Sequence, residues 1–158
     1  MKKLILALVV SFTATILVPT QAQARDMTFT TTLKNYNGDG AYLALYLVKA
    51  NGQYQQTIWI AGEKSKYYKH LSSWSRGSGQ RASEYDGLSG ASVGRGRTLN
   101  VTLGIADELI DAGYQVRIDT SVEDMRDNPA EISVPLITSN VGKPFLGRGY
   151  IETFQFSF

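Results

Sequence analysis

The chain has 158 residues, with 16 Lys and Arg against 14 Asp and Glu, one His and no Cys. Without cysteine, and with a single imidazole, it cannot build disulfides, thiolate metal sites, c-type haem links or multi-histidine metal centres. Its net charge of +2 falls to about zero once Lys2 and Lys3 leave with an N-terminal leader, so it has no basic surface suited to nucleic acid.

Residues 1–24 have the layout of a secretory signal peptide. Lys2 and Lys3 precede an apolar run over residues 4–18, Pro19 follows it, and Ala22-Gln23-Ala24 forms a small-x-small cleavage site before Arg25. The run is short for a membrane span and no second one follows, so the expectation is an exported protein with no transmembrane span. Residues 25–158 are then enough for one domain with its own core.

Residues 27–33 alternate and are rich in Thr, which predicts a strand. Residues 41–49 predict a central strand apolar on both faces, with Tyr42, Ala44, Tyr46 and Val48 on one and Leu43, Leu45 and Leu47 on the other. Asn51-Gly52 is a hairpin signal, and residues 53–61 return as a strand in which Thr57 and Trp59 alternate with Ile58 and Ile60. Over residues 64–75 the period changes. Tyr67, Leu71 and Trp74 fall at helical spacing, predicting a short amphipathic helix that ends near Gly77. Its aromatic stripe suits core packing or, alternatively, a platform for a cofactor.

Residues 77–97 read as a long Gly/Ser-rich loop, and a loop of this length is usually functional or disordered. Arg76, Arg81, Arg95 and Arg97 surround its centre. Strand signals return at residues 98–103, 114–122 and 150–158, and Pro135 makes residues 132–137 an edge strand. Residues 106–113 read as one helical turn or a loop. In the last strand, Ile151, Thr153, Gln155 and Ser157 are expected on one face, and Tyr150, Glu152, Phe154, Phe156 and Phe158 on the other. About seven strands joined by turns predict an all-β, immunoglobulin-like antiparallel β-sandwich with one short helix.

At the centre of the loop stands Asp86-Gly87-Leu88-Ser89-Gly90-Ala91-Ser92. It resembles the D-x-x-[ST]-G-A-[TS] acceptor motif of exported bacterial flavoproteins, a spelling that chance would place in roughly one chain in a thousand. In those proteins a flavin transferase esterifies the phosphate of FMN onto the last hydroxyl. The resemblance implies Ser92 as the attachment residue, with Asp86, Ser89, Gly90 and Ala91 as its recognition frame. The residue types suit the chemistry. Gly90 and Ala91 leave room beside the hydroxyl, and successive backbone N–H groups in a Gly-rich turn favour phosphate charge.

With these features together, the chain from residue 25 onward resembles the exported bacterial proteins called domain of unknown function 2271 (DUF2271). The resemblance rests on YLALYLVKANGQ, on TIWIAG, on a helix ending in Leu71-x-x-Trp74, on the motif, and on DELIDAGYQV. It implies a periplasmic electron-transfer module served by a flavin transferase and a PepSY-type membrane reductase. Tyr67, Tyr68, Trp74 or Tyr85 would then stack on the flavin ring, and His70, Arg95 or Arg97 would place positive charge near it. Two other classes stay open. One is a cofactor-free immunoglobulin-like binding module using Trp59 and Trp74. The other is a serine hydrolase using Ser89 or Ser92 with His70, although Gly87-Leu88-Ser89-Gly90-Ala91 lacks the last glycine of a nucleophile elbow.

Overall fold

The computed structural model describes residues 23–158, so most of the expected signal peptide lies outside the described residues. Nine strands form two sheets. They are β1 (Ala24–Leu33), β2 (Tyr42–Val48), β3 (Tyr54–Ala61), β4 (Ser89–Gly90), β5 (Thr98–Ala106), β6 (Gln115–Ser121), β7 (Asn128–Pro135), β8 (Phe145–Leu146) and β9 (Ile151–Ser157). One sheet has the order β5-β1-β9-β8, the other β4-β3-β2-β6-β7. All pairs are antiparallel except β3 with β4. The expected β-sandwich is therefore the fold.

β2 is central in its sheet because both its faces are apolar. Leu43, Leu45 and Leu47 enter the core between the sheets with Met27, Phe29, Val116, Ile118, Phe154 and Phe156. Ala44, Tyr46 and Val48 point the other way, into a second apolar cluster with Ile60, Tyr68, Leu71 and Trp74. That second cluster is roofed by residues 65–85, so the five-stranded sheet is covered on both sides. The roof is not the single helix expected over residues 64–75. A 3-10 stretch, Ser65–His70, stops at Leu71 (φ −80°, ψ 67°), and α1 (Ser72–Ser78) starts afresh, closing on Gly79 in the left-handed region.

Several local readings change for backbone reasons. The hairpin after β2 has a three-residue loop, with the Lys49 N–H bonded to the Gln53 carbonyl (2.8 Å) and Gly52 at φ 83°. A bulge in β3 pairs Leu45 with Trp59 but Tyr46 with Thr57. Ile58 and Trp59 therefore both pack toward the inter-sheet core, which breaks the expected alternation. A second bulge pairs Thr32 with Thr153 but Leu33 with Ile151, so Ile151 joins Phe154 and Phe156 inside rather than lying opposite them. Each extra residue flips the parity of everything beyond it.

The expected long loop, residues 77–97, is also largely ordered by pairing. It holds a 3-10 turn (Ala82–Glu84), β4, and a bridge from Val93 to Ala41. Residues 106–113 contain one 3-10 turn, Asp107–Leu109. The residues 132–137 signal belongs to β7, which runs along an edge as expected.

Candidate functional site

The motif begins as a tight turn. The Leu88 N–H bonds the Tyr85 carbonyl at 2.9 Å, and Gly87 takes φ 73°, which favours glycine. The chain then runs parallel to the end of β3, with Ser89 opposite Ile60 and Gly90 opposite Ala61. Ile60 donates to the Leu88 carbonyl (2.8 Å), and Gly62 to that of Gly90 (2.7 Å). Gly90 packs closely on the Trp59 ring, since a Cβ there would lie 3.0 Å from Cζ2. Three residues later Val93 is clamped to Ala41 by reciprocal backbone bonds of 2.8 and 2.9 Å.

Ala91 and Ser92 lie between these two anchors, and both are exposed. Ser92 is therefore an accessible hydroxyl on a backbone fixed at both ends. It packs closely against Gly40, since a Cβ there would stand 2.9 Å from Ser92 Oγ. Asp86 and Ser89 are exposed too. Arg95 lies in the following turn, near enough to Tyr36 for its charge to act on that phenol, whose pKa burial nonetheless raises. Arg81 is not part of a basic rim, since it pairs with Glu84.

The aromatic residues divide. Trp74 is fully buried, and its Nε1 donates to Thr57 Oγ1 at 2.9 Å. Tyr68 is buried too, donating to the Gly62 carbonyl at 2.7 Å. With Tyr85 they form an edge-to-face trio with centroids 5.8, 5.2 and 6.1 Å apart. Of the two readings open for the aromatic stripe, the structure shows core packing for Leu71 and Trp74, while Tyr67 is half-buried and lies outside that core. Trp74 and Tyr68 present no face to a molecule arriving from outside; they brace the sheet on which the motif is pinned.

Tyr67 and His70 belong elsewhere. They line a cleft of about 370 Å³ with Tyr42, Val122, Met125 and Asp127. Tyr42 and Tyr67 meet edge to face at 5.7 Å, and Lys66 Nζ sits 4.8 Å above the Tyr67 ring. His70 Nδ1 is 3.1 Å from Asp127 Oδ2, and Ser121 Oγ donates to Asp127 Oδ1 at 2.7 Å. The carboxylate therefore stands between hydroxyl and imidazole, the wrong order for a catalytic triad, in which the imidazole must touch the nucleophile.

Sequence reading missed Tyr42, Met125 and Asp127 as cleft residues, because they come from segments far apart in the chain. It also missed Asp119, which is fully buried. Its Oδ2 accepts from the backbone N–H groups of Ser73 (2.7 Å) and Trp74 (2.9 Å), which starts α1. Its Oδ1 accepts from Tyr46 Oη (2.9 Å) and the Ala130 N–H (2.7 Å). Burial first, and then the Asp119 charge, push the Tyr46 phenol far above its ordinary pKa.

Residues 24–153 match the family described as "Predicted periplasmic protein (DUF2271)". The chain belongs to the DUF2271 family. That membership bears out the resemblance drawn from its strands and places this DUF2271 protein in the periplasm. No curated protein and no solved structure matches it. Among the described residues, no helix is long and apolar enough to cross a membrane.

Proposed function

We propose that this DUF2271 protein is a periplasmic electron-transfer carrier holding FMN through a phosphoester to Ser92 Oγ. The observation that supports this best is the setting of that hydroxyl. It is exposed, it is fixed between β4 and the Val93–Ala41 bridge, and it lies against Gly40, where any side chain would crowd it. A flavin transferase would attach the group, recognising Asp86, Ser89, Gly90 and Ala91, and a PepSY-type membrane reductase is the class of donor that fits. The flavin supplies the redox chemistry; the chain anchors its phosphate and offers Arg95, three residues further along the chain, as a counter-charge.

A cofactor-free binding module is the weaker reading. It calls for exposed aromatic side chains, yet Trp74 is buried and Trp59 half-buried. The exposed large apolar side chains among the described residues are Met125, Leu146 and Phe158, too few for a broad docking patch.

The test is intact mass of protein exported from cells that also make a flavin transferase. The wild type should carry one FMN less one water, and Ser92→Ala should carry none. Unlabelled wild type from such cells would end this reading.

A further inference from the structure

We propose that the cleft walled by Tyr42 and Tyr67 seats the isoalloxazine ring of a flavin tethered at Ser92. This rests on the reading of Ser92 as the attachment residue, and it names where the far end of the cofactor goes.

One short segment links tether and cleft. Gly40 is the residue against Ser92 Oγ, while a Cβ on Gly38 would meet Met125 Sδ at 2.6 Å, on the cleft rim. Tyr42, two residues the other way, is a cleft wall. Two residues of chain span at most about 7 Å, so anchor and cleft are neighbours. The volume of about 370 Å³ is in the range of small-molecule sites, roughly 300–1,000 Å³.

Charge assigns the orientation. Glu123, Asp124 and Asp127 contribute carboxylates to the cleft, which repel a phosphate, whereas Arg95 follows Ser92 by three residues in the chain. The phosphodiester is thus held outside and the uncharged ring enters. Tyr67 is half-buried, with Lys66 Nζ over its ring and Tyr42 edge to face with it, so an arriving ring stacks by displacing the flexible Lys66 side chain. His70 supplies the polar contact. Asp127 engages Nδ1, which leaves Nε2 to meet the heteroatom edge of the ring.

The experiment uses protein labelled in cells with a flavin transferase, and reads flavin fluorescence yield and visible circular dichroism on samples whose mass shows the adduct. Wild type should be quenched relative to free FMN and optically active in the flavin bands. Tyr67→Ala should lower the docked-to-free ratio roughly fivefold, and emission should rise accordingly. Tyr67→Phe should stay close to wild type. Met125→Glu, at a residue 40% exposed and so tolerant of change, should also release the ring by crowding the rim with charge. Wild-type adduct that emits like free FMN, or that is unmoved by both Tyr67→Ala and Met125→Glu, overturns the seating while leaving the tether intact. A wild type without adduct overturns both.

Discussion

Asp119 accepts four hydrogen bonds in the interior, from three backbone N–H groups and the Tyr46 hydroxyl. Removing it strands all four donors, each buried or half-buried. Asp119→Ala is expected to cost about 3–5 kcal/mol, read as a lower urea midpoint with little change in slope. Asp119→Asn should cost less than Asp119→Ala yet still destabilise, since its amide oxygen satisfies the Ser73 and Trp74 N–H groups while its NH₂ donates to the Tyr46 hydroxyl but opposes the Ala130 N–H. Glu131 has a comparable role at the other edge. Its Oε1 accepts from the N–H groups of Gly149 (2.7 Å) and Ile151 (2.8 Å), and its other oxygen bonds Thr120, tying β6 and β7 to the start of β9. At the motif the decisive residue is one with no side chain. Gly40→Ala places a Cβ 2.9 Å from Ser92 Oγ and 3.4 Å from the Val93 carbonyl. It should displace the hydroxyl and lower the labelled fraction in intact mass, with thermal stability close to wild type.

Between residue and fold stand the short elements that the roof of the five-stranded sheet requires. Ser65–His70 and α1 are each too brief to persist alone, and they hold because Tyr68, Leu71 and Trp74 are buried against Ala44, Tyr46 and Ile60. The connection from β3 into this roof is Gly62. It sits at φ 138°, bonds the Gly90 carbonyl through its N–H and the Tyr68 hydroxyl through its C=O, and presses on Tyr42. A Cβ there would lie 2.0 Å from Tyr42 Cδ1. Gly62→Ala should therefore destabilise by roughly 2 kcal/mol or more, the strained φ and the overlap acting together. It should also move Tyr42 out of the cleft wall, visible as a change in near-ultraviolet circular dichroism. Outside the other sheet the pairing is polar and regular. Thr28 meets Thr102 at 2.9 Å, Thr30 meets Asn100 at 2.8 Å and Thr32 meets Thr98 at 3.0 Å, cross-strand pairs that fix the β1–β5 register without adding apolar surface.

For the molecule as a whole, the pH range of stability follows from opposite shifts in two residue classes. The carboxyls of Glu84, Asp107 and Asp111 are held below their ordinary values, chiefly by hydrogen bonds from Tyr54, Arg25 and Thr138 respectively. Their contribution is present above the unfolded carboxyl range, about 4, and is lost as pH falls through the lower folded values. Burial raises the phenols of Tyr36, Tyr46, Tyr54, Tyr68 and Tyr150. Their contribution is present below the unfolded phenol value, about 10, and is lost as pH rises beyond it. Urea midpoints measured across pH should show a plateau between these limits and fall on both sides. Glu84→Gln should flatten the acid side, and a midpoint that rises below pH 4 would contradict the assignment of these carboxyls.

The two apolar faces of β2, the Thr-rich alternation of β1 and the edge position of β7 were legible in the sequence, because side-chain period and β-branching act within a few residues. So was the Ser92 motif, which is a local spelling. The faces of β3 and β9 were not, since a bulge is set by the partner strand and inverts the period. Residues 77–97 were read as loop because β4 has little pattern of its own and forms only where β3 offers unpaired backbone groups. His70 and Trp74 carry no local sign of their different surroundings. Asp127, 57 residues away in the chain, gives the first its partner, and the closing of the roof over Tyr46 buries the second. Periodicity and composition thus determined the sandwich, and the spelling around Ser92 is local as well, because both depend on neighbours along the chain. The cleft, the Asp119 keystone and the close contact of Gly40 with Ser92 were decided by contacts between distant segments, which exist only once the sheets have paired.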